Sequence, residues 1–352
     1  MTNQKYLLPL SVRARAPLRL GLAGGGTDVS PYCDQYGGYV LNATISRYAY
    51  ANLTINPPHQ SVHLCASDLQ KEEVLPLDPS QWLEPSLALH RAVYVAIMEN
   101  FNGGKYLPIS LSTFSDAPAG SGLGSSSTLV VAMIRAFVEA LNLPLDDYAV
   151  AQLAFKVERV DCQLQGGRQD QYSATFGGFN FMEFYADNRA LINPLRIKNW
   201  ILCELESSLL LFYTGVSRES AKIIAEQSHH MTIQDKTTIE AMHGLKQEAL
   251  QMKENLLRGD FKGIVESMKQ GWENKKRSSK SVSNTHIEDI YDTAIRAGAL
   301  AGKASGAGGG GFMMFYVPSE KRMSVIRALE GFEGKVSRCQ FTPHGSQAWR
   351  LA

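Results

Sequence analysis

One stretch constrains this chain more than any other: Asp116-Ala-Pro-Ala-Gly-Ser-Gly-Leu-Gly-Ser-Ser-Ser-Thr128, set between a strand-like run at 109–114 and an apolar, helix-like run at about 129–141. A strand that ends in alternating glycines and re-enters the fold as a helix is a backbone suited to holding an anion. Gly120, Gly122 and Gly124 let the main chain turn sharply and present its N–H groups. The new helix adds unpaired donors and the positive end of its dipole. Ser125, Ser126, Ser127 and Thr128 supply hydroxyls able to cap the helix or to ligate magnesium. Taken alone, such a cluster reads as a capped helix after a flexible loop; here two further glycine clusters accompany it.

The first of these is Ala16-Pro-Leu-Arg-Leu-Gly-Leu-Ala-Gly-Gly-Gly-Thr-Asp28, a strand closing on three glycines and an acid. It reads either as a turn with Asp28 as a helix cap or as a ligand seat, in which Gly25, Gly26 and Thr27 face a substrate whose hydroxyls donate to Asp28. The other is Lys303-Ala-Ser-Gly-Ala-Gly-Gly-Gly-Gly311, ahead of the apolar Phe312-Met-Met-Phe315. Five glycines in its last six residues weaken regular structure by roughly 0.5–1 kcal/mol each relative to alanine, which a plain hinge does not justify. Gly306 to Gly311 satisfies G-x-G-x-x-G, but a strand-like segment follows where a dinucleotide fold needs a helix. Gly302-Lys303 lacks the rest of a P-loop, no G-x-S-x-G elbow occurs, and His59 with His63 has no clear third metal ligand.

Two acids complete the chemistry. Glu158 stands in Glu-Arg-Val-Asp161, and Asp170 in Gly166-Gly-Arg-Gln-Asp-Gln-Tyr172. Glu158 alone reads as a solvated carboxylate, whereas Asp170 sits beside Arg168 and Gln169 in a glycine-flanked, aromatic-rich segment that can hold it against a substrate hydroxyl.

Composition removes several classes of function. With 35 Lys plus Arg against 34 Asp plus Glu, the chain has no general attraction for nucleic acid or an anionic membrane. Five scattered cysteines without a C-x-x-C pair fit reduced thiols filling the core. No apolar run has the length of a signal peptide or a membrane span, so a cytoplasmic protein is expected. Strand-like runs fall at 15–23, 39–45, 48–55 and 109–114, and helix-like ones at 87–101 and 145–160. Gly166-Gly167 and Gly177-Gly178 bracket a turn-rich segment. From 217 to 298 the chain turns to polar helices, then to an apolar run at 312–317, a helix at 320–329 and strands at 335–341 and 347–351. That order predicts an α+β protein of two domains, 1–195 and 196–352.

These motifs, in this order and over nearly the whole chain, resemble the superfamily named for galactokinase, homoserine kinase, mevalonate kinase and phosphomevalonate kinase (GHMP). Pro118 to Ser127 is similar to its Pro-x-x-x-Gly-Leu-Gly-Ser-Ser nucleotide loop, and Lys303 to Gly311 to its C-terminal glycine motif. Within it, Ala23 to Asp28, Gly37-Gly38, Gly167 to Tyr172 and Tyr213 to Arg218 resemble the D-glycero-D-manno-heptose 7-phosphate kinases. The resemblance implies a ribosomal-S5-like N-terminal domain and a ferredoxin-like C-terminal one, with ATP, Mg²⁺ and a sugar between them.

It also implies roles. Pro118, Gly120, Gly122, Leu123, Gly124, Ser125, Ser126, Ser127, Gly306, Gly308 and Gly309 would hold ATP. Ser126 and Glu158 would ligate Mg²⁺, Asp170 would be the base or orienter, and Arg19 would stabilise developing charge. Gly25, Gly26, Thr27, Asp28, Arg168, Gln169 and Arg218 would bind a small sugar phosphate, with Arg168, Arg47 and Arg218 as candidates for its far phosphate. The mevalonate-kinase Asn-Pro-Ser is replaced by Gly-Gly-Arg-Gln, and the Glu-His of galactokinase by Gly25-Gly26-Thr27. The implied activity is phosphorylation of the C1 hydroxyl of a heptose 7-phosphate. A 1-kinase of a free sugar such as fucose, or a silent sugar and ATP sensor, uses the same motifs, and a homodimer is left open.

Overall fold

The computed structural model describes residues 9–216 and 220–351. Along the chain, β1 (Leu10–Ala23) leads through the short helix α1 (Tyr32–Tyr36) into β2 (Gly38–Ile55), β3 (Val62–Ala66) and β4 (Lys71–Leu75). Next come α2 (Ala88–Phe101), β5 (Ile109–Ser115), α3 (Ser125–Leu141), α4 (Asp147–Phe155), α5 (Gln169–Phe176), β6 (Phe179–Phe184) and β7 (Ala190–Pro194). The remainder is α6 (Asn199–Ser208), β8 (Leu209–Tyr213), α7 (Ser220–Thr232), α8 (Lys236–Arg258), α9 (Phe261–Ser278), α10 (Thr285–Arg296) and β9 (Ala301–Ala304). It closes with β10 (Phe312–Tyr316), α11 (Arg322–Leu329), β11 (Lys335–Arg338) and β12 (Gln347–Arg350).

The lower half of β2 buries Ala49, Ala51, Leu53 and Ile55 and leaves the residues between them half exposed. That period of two marks a sheet with one face on the core and one in water. The core face packs on α3, whose buried stripe includes Val130, Val131, Ile134 and Phe137. The sheet runs β12-β1-β2-β5-β3-β4, with β6 on β2 and β7 on β6, and only the β3/β5 pair is parallel among the described strands. A second, antiparallel sheet runs β11-β8-β10-β9. The α+β class holds, as two sheets each with its own helices.

β1 serves two cores. Val12, Ala14 and Ala16 join the first, and Leu18, Leu20 and Leu22 join one built with Leu209, Leu211, Met252, Met268, Phe312 and Met314 of the later elements. The changeover falls at a register break between Pro17 and Arg19. The two halves of the molecule therefore share apolar packing, and the surfaces meeting above it form a cleft.

Several local expectations are corrected. The strands at 39–45 and 48–55 are one strand, because residues 45–47 bulge from the β1 ladder and Ile45 and Ser46 pair instead with Phe341 and Gln340. The helix expected at 145–160 begins after Asp146, whose carboxylate caps Ala149 N–H, and passes at Lys156 into a π-helical turn ending at Asp161. The supposed turn-rich segment contains α5. Strand β12 leaves the second sheet's neighbourhood and pairs with β1, Val12 to Arg15 opposite Arg350 to Gln347. Of the cysteines, only Cys33 and Cys339 are buried, and Cys203 is exposed. No helix among the described residues is long and apolar enough to cross a membrane.

Candidate active site

The cleft encloses about 1040 Å³, its open mouth included, and is lined by all three glycine clusters. At its head is the N-terminus of α3. The N-cap is Gly124, with φ 77° and no side-chain cap bond, so the serines lie within the first helical turn rather than before it. The first-turn N–H groups have no acceptor in the helix and lie where an anion can take them. Gly120, Gly122, Gly124, Ser125 and Ser126 line the cleft. Pro118, Leu123 and Ser127 shape the loop from behind: Pro118 O accepts from Ser121 N–H (3.2 Å), Leu123 O accepts from Arg19 N–H (3.1 Å), and Ser127 is buried.

The third cluster closes on the first. Gly306 has φ 111°, and a Cβ there would stand 2.6 Å from the Gly122 backbone, so the approach of the two loops requires glycine at 306. Gly306 and Ala307 line the cleft, whereas Gly309 N–H donates to Val282 O (2.7 Å) and a Cβ on Gly308 would meet that same carbonyl.

Asp170, in the first turn of α5, receives Nε and Nη2 of Arg19 on the same oxygen, Oδ1, each at 2.7 Å. Arg19 is 5% exposed and also donates from Nη1 to Gly122 O (2.7 Å), so one guanidinium ties the acid to the glycine loop. Asp170 Oδ2 has no donor among the described residues and lies beside Gly124, whose absent Cβ leaves room for a reacting hydroxyl.

The π turn carries Glu158 inward, fully buried. Its Oε1 accepts from Ser126 Oγ (2.7 Å) and its Oε2 from Ser127 Oγ and Gln171 Nε2 (both 2.6 Å). One carboxylate and one hydroxyl beside an anion site suit Mg²⁺, which takes few protein oxygens and completes its shell with phosphate and water. The described residues hold no cluster of three His, Cys, Asp or Glu that could bind a metal without such help.

Asp28 is buried and locks the first glycine loop to α5. Its Oδ2 accepts the N–H groups of Arg168 (2.8 Å) and Gln169 (3.0 Å), and its Oδ1 those of Gly26 (3.2 Å) and Gln169 Nε2 (3.0 Å). Both oxygens are thus occupied by protein donors. Gln169 lines the cleft and leaves its buried Oε1 without a partner, a vacant acceptor for a ligand hydroxyl. Gly25 and Gly26 line the cleft, but Thr27 does not: its hydroxyl lies 2.8 Å from both Gly24 O and Tyr39 O, with its one proton for either, and accepts from Tyr39 N–H.

The arginines expected at a far phosphate are turned elsewhere. Arg168 is 7% exposed and spends its guanidinium on Tyr185 O (2.8 Å), Asp34 (3.0 Å) and Ser30 Oγ (3.3 Å). Arg47 lies over the Phe312 ring in a separate depression beside Asp116 and Arg338. Arg218 lies outside the described residues. The cations that do line the cleft are Arg19, Arg159, Lys275 and Lys303. Of these, Arg159 sat in the motif beside Glu158, whereas Lys275 was hidden in the run Glu273-Asn-Lys-Lys-Arg277, which reads as a solvated face. The clue was its helical phase, on one stripe with buried Ile264, Met268, Gly271 and Trp272.

Residues 88–178 match the GHMP kinases N terminal domain and residues 252–333 the GHMP kinases C terminal domain. The chain is 46% identical to D-glycero-alpha-D-manno-heptose 7-phosphate kinase of Campylobacter jejuni, over 97% of this chain and 99% of the relative. A crystal structure of a D-glycero-D-manno-heptose 1-phosphate kinase from Bacteroides thetaiotaomicron superposes with a TM-score of 0.82 at 41% identity, covering 97% of this chain and 99% of that one. The L-fucokinase/L-fucose-1-P guanylyltransferase of Bacteroides fragilis is 27% identical over 90% of this chain and 35% of its own length. Similarity of that depth over nearly the full length, joined to a glycine-loop cleft with its paired arginine and aspartate, establishes that the chain belongs to the GHMP kinase family.

Proposed function

We propose that the protein transfers the terminal phosphoryl group of ATP to the anomeric C1 hydroxyl of D-glycero-D-manno-heptose 7-phosphate, giving the 1,7-bisphosphate. The observation that carries the reading is the Arg19–Asp170 pair, one oxygen of Asp170 held at 2.7 Å and the other left open beside the nucleotide loop. The open Oδ2 orients the sugar hydroxyl and receives its proton as the new O–P bond forms and the bond from phosphorus to ADP breaks. A carboxylate tied to an arginine is a weak base, which is enough for a loose transition state in which the nucleophile needs orientation more than ionisation. Arg19 then faces the charge that spreads over the transferred group. Mg²⁺, when bound, would neutralise the phosphate oxygens, with Ser126 and Glu158 as its protein ligands. Gln169 Oε1, Gly25 and Gly26 would receive the sugar.

The relative from Campylobacter jejuni supports heptose 7-phosphate as the acceptor. A second reading, a 1-kinase of a free sugar such as fucose, is favoured by one feature: Arg168 and Arg47 do not face the cleft. Phosphorus NMR of the product separates the readings. A new phosphate signal coupled to the anomeric proton, formed from heptose 7-phosphate and lost with Asp170→Asn, supports the proposal. Turnover restricted to unphosphorylated sugars, or a product whose new phosphate lies away from C1, contradicts it.

A further inference from the structure

A lysine buried without a carboxylate needs a reason, because the protein gives up its hydration. Lys275 of α9 is 6% exposed and has no acidic partner within ion-pair distance among the described residues. Its ammonium donates to Gly306 O and, at 3.5 Å, to Ala304 O. An ammonium has three donors, so these two carbonyls leave one unassigned at the cleft wall. Two neighbouring cations, by contrast, already have carboxylate partners: Lys303 has Glu248 Oε1 (3.1 Å), with Leu22 O at 3.0 Å, and Arg19 has Asp170. Gly306 is also where the third glycine cluster touches Gly122 of the nucleotide loop. Lys275 and Arg19 therefore grip the two sides of one junction, one from each half of the chain.

We propose that the Lys275 ammonium contacts the terminal phosphate of the bound nucleoside triphosphate and is a catalytic residue supplied by the C-terminal half of the chain. The inference rests on reading the cleft as the nucleotide site. The charged groups facing Lys275 are Lys303 from β9, Arg19 from β1, Glu248 from α8 and Asp28 from the first glycine loop. Burial, then Lys303 and Arg19, bring the ammonium down to about 7. Glu248 offsets little of this, since burial also pushes its own carboxyl up and Lys303 already pairs with it. An arriving polyanion reverses the balance, and the lysine regains its ordinary affinity for a proton. Nucleotide binding above pH 7 is then coupled to proton uptake, a linkage that a lysine acting only as a clamp on the Gly306 loop would not produce.

The test is calorimetry of MgATP binding to the intact protein without sugar, in buffers of differing ionisation enthalpy, at pH 6 and pH 8.5. The native protein should take up about one proton per nucleotide at pH 8.5 and about a tenth of that at pH 6. Lys275→Met should lose the uptake and bind at least about tenfold more weakly. Lys275→Arg, which keeps a permanent charge, should bind within a few-fold of native without uptake, and it covers the case in which the methionine variant does not fold. Native binding without proton uptake, or the same uptake in either variant, overturns the proposal while leaving the nucleotide site standing. Failure of the native protein to bind MgATP overturns both.

Discussion

At the scale of single residues, a group that would touch the reacting atoms differs in its expected effect from one that only holds the site in place. Asp170→Asn keeps the shape but gives up the oxygen proposed to receive the proton and weakens the grip of Arg19. Turnover should fall by about 10²-fold or more with the fold intact, checked by ADP release alongside circular dichroism. Arg168→Gln should do the opposite. It breaks buried contacts with Tyr185 O and Asp34, so the thermal midpoint should drop by the equivalent of about 1–3 kcal/mol. The KM for a phosphorylated sugar should rise no more than that for a free one, and a selective rise would return Arg168 to the substrate. The sequence singled out Asp170 and Ser126 by their own segments, whereas Arg19 and Glu158 entered only through the family resemblance. Arg168 looked equally chemical, but its partners lie at Ser30, Asp34 and Tyr185, contacts that only the folded chain creates. Lys275 was missed for the converse reason, a buried role in a run of surface-like composition.

At the scale of elements, the long periodic segments were readable and the short anchored ones were not. Helix α3 and strand β5 follow from apolar phase and the glycine punctuation between them. Helix α5 has eight residues, and its first N–H groups are satisfied by Asp28, 140 residues earlier in the chain at Arg168, so no local pattern announces it. The π turn that buries Glu158 likewise depends on packing. A Cβ at Gly271 of α9 would lie 2.0 Å from Glu248 Oε1 of α8; Gly271→Ala should therefore cost about 1–3 kcal/mol in denaturant unfolding, despite alanine's better helix propensity. His90 links α2 to β5 through Thr113 Oγ1 (2.7 Å), and burial holds its imidazole down to about 4 from an ordinary 6.5. Between those values the unfolded chain binds a proton that the folded one refuses, so stability is complete above pH 6.5 and declines as pH falls toward 4. The loss amounts to up to about 3 kcal/mol. His90→Gln should flatten that part of the stability–pH curve, and an unchanged slope would assign it to other groups.

At the scale of the whole molecule, two sheets with a shared core hold three glycine loops against one cleft, and the chain's last strand ties its end back to β1. Arg15 Nε and Nη2 both donate to Gln347, and Arg350 pairs with Glu139 of α3 (2.8 Å). Truncation after Ser346 should lower the thermal midpoint and raise hydrogen exchange in β1 first. The sequence supplied the α+β class and the order of the motifs. It could not supply the return of β12, since a strand's partner is chosen by register and not by nearest sequence. Phosphorylation of a sugar at C1 by this cleft is tested by ADP release with ATP and Mg²⁺ over heptose 7-phosphate, mannose, mannose 6-phosphate, fucose and galactose, native protein against Asp170→Asn. Turnover on heptose 7-phosphate well above the other sugars, and lost in the variant, is the result predicted; no sugar-dependent turnover, or turnover that survives Asp170→Asn, would contradict it.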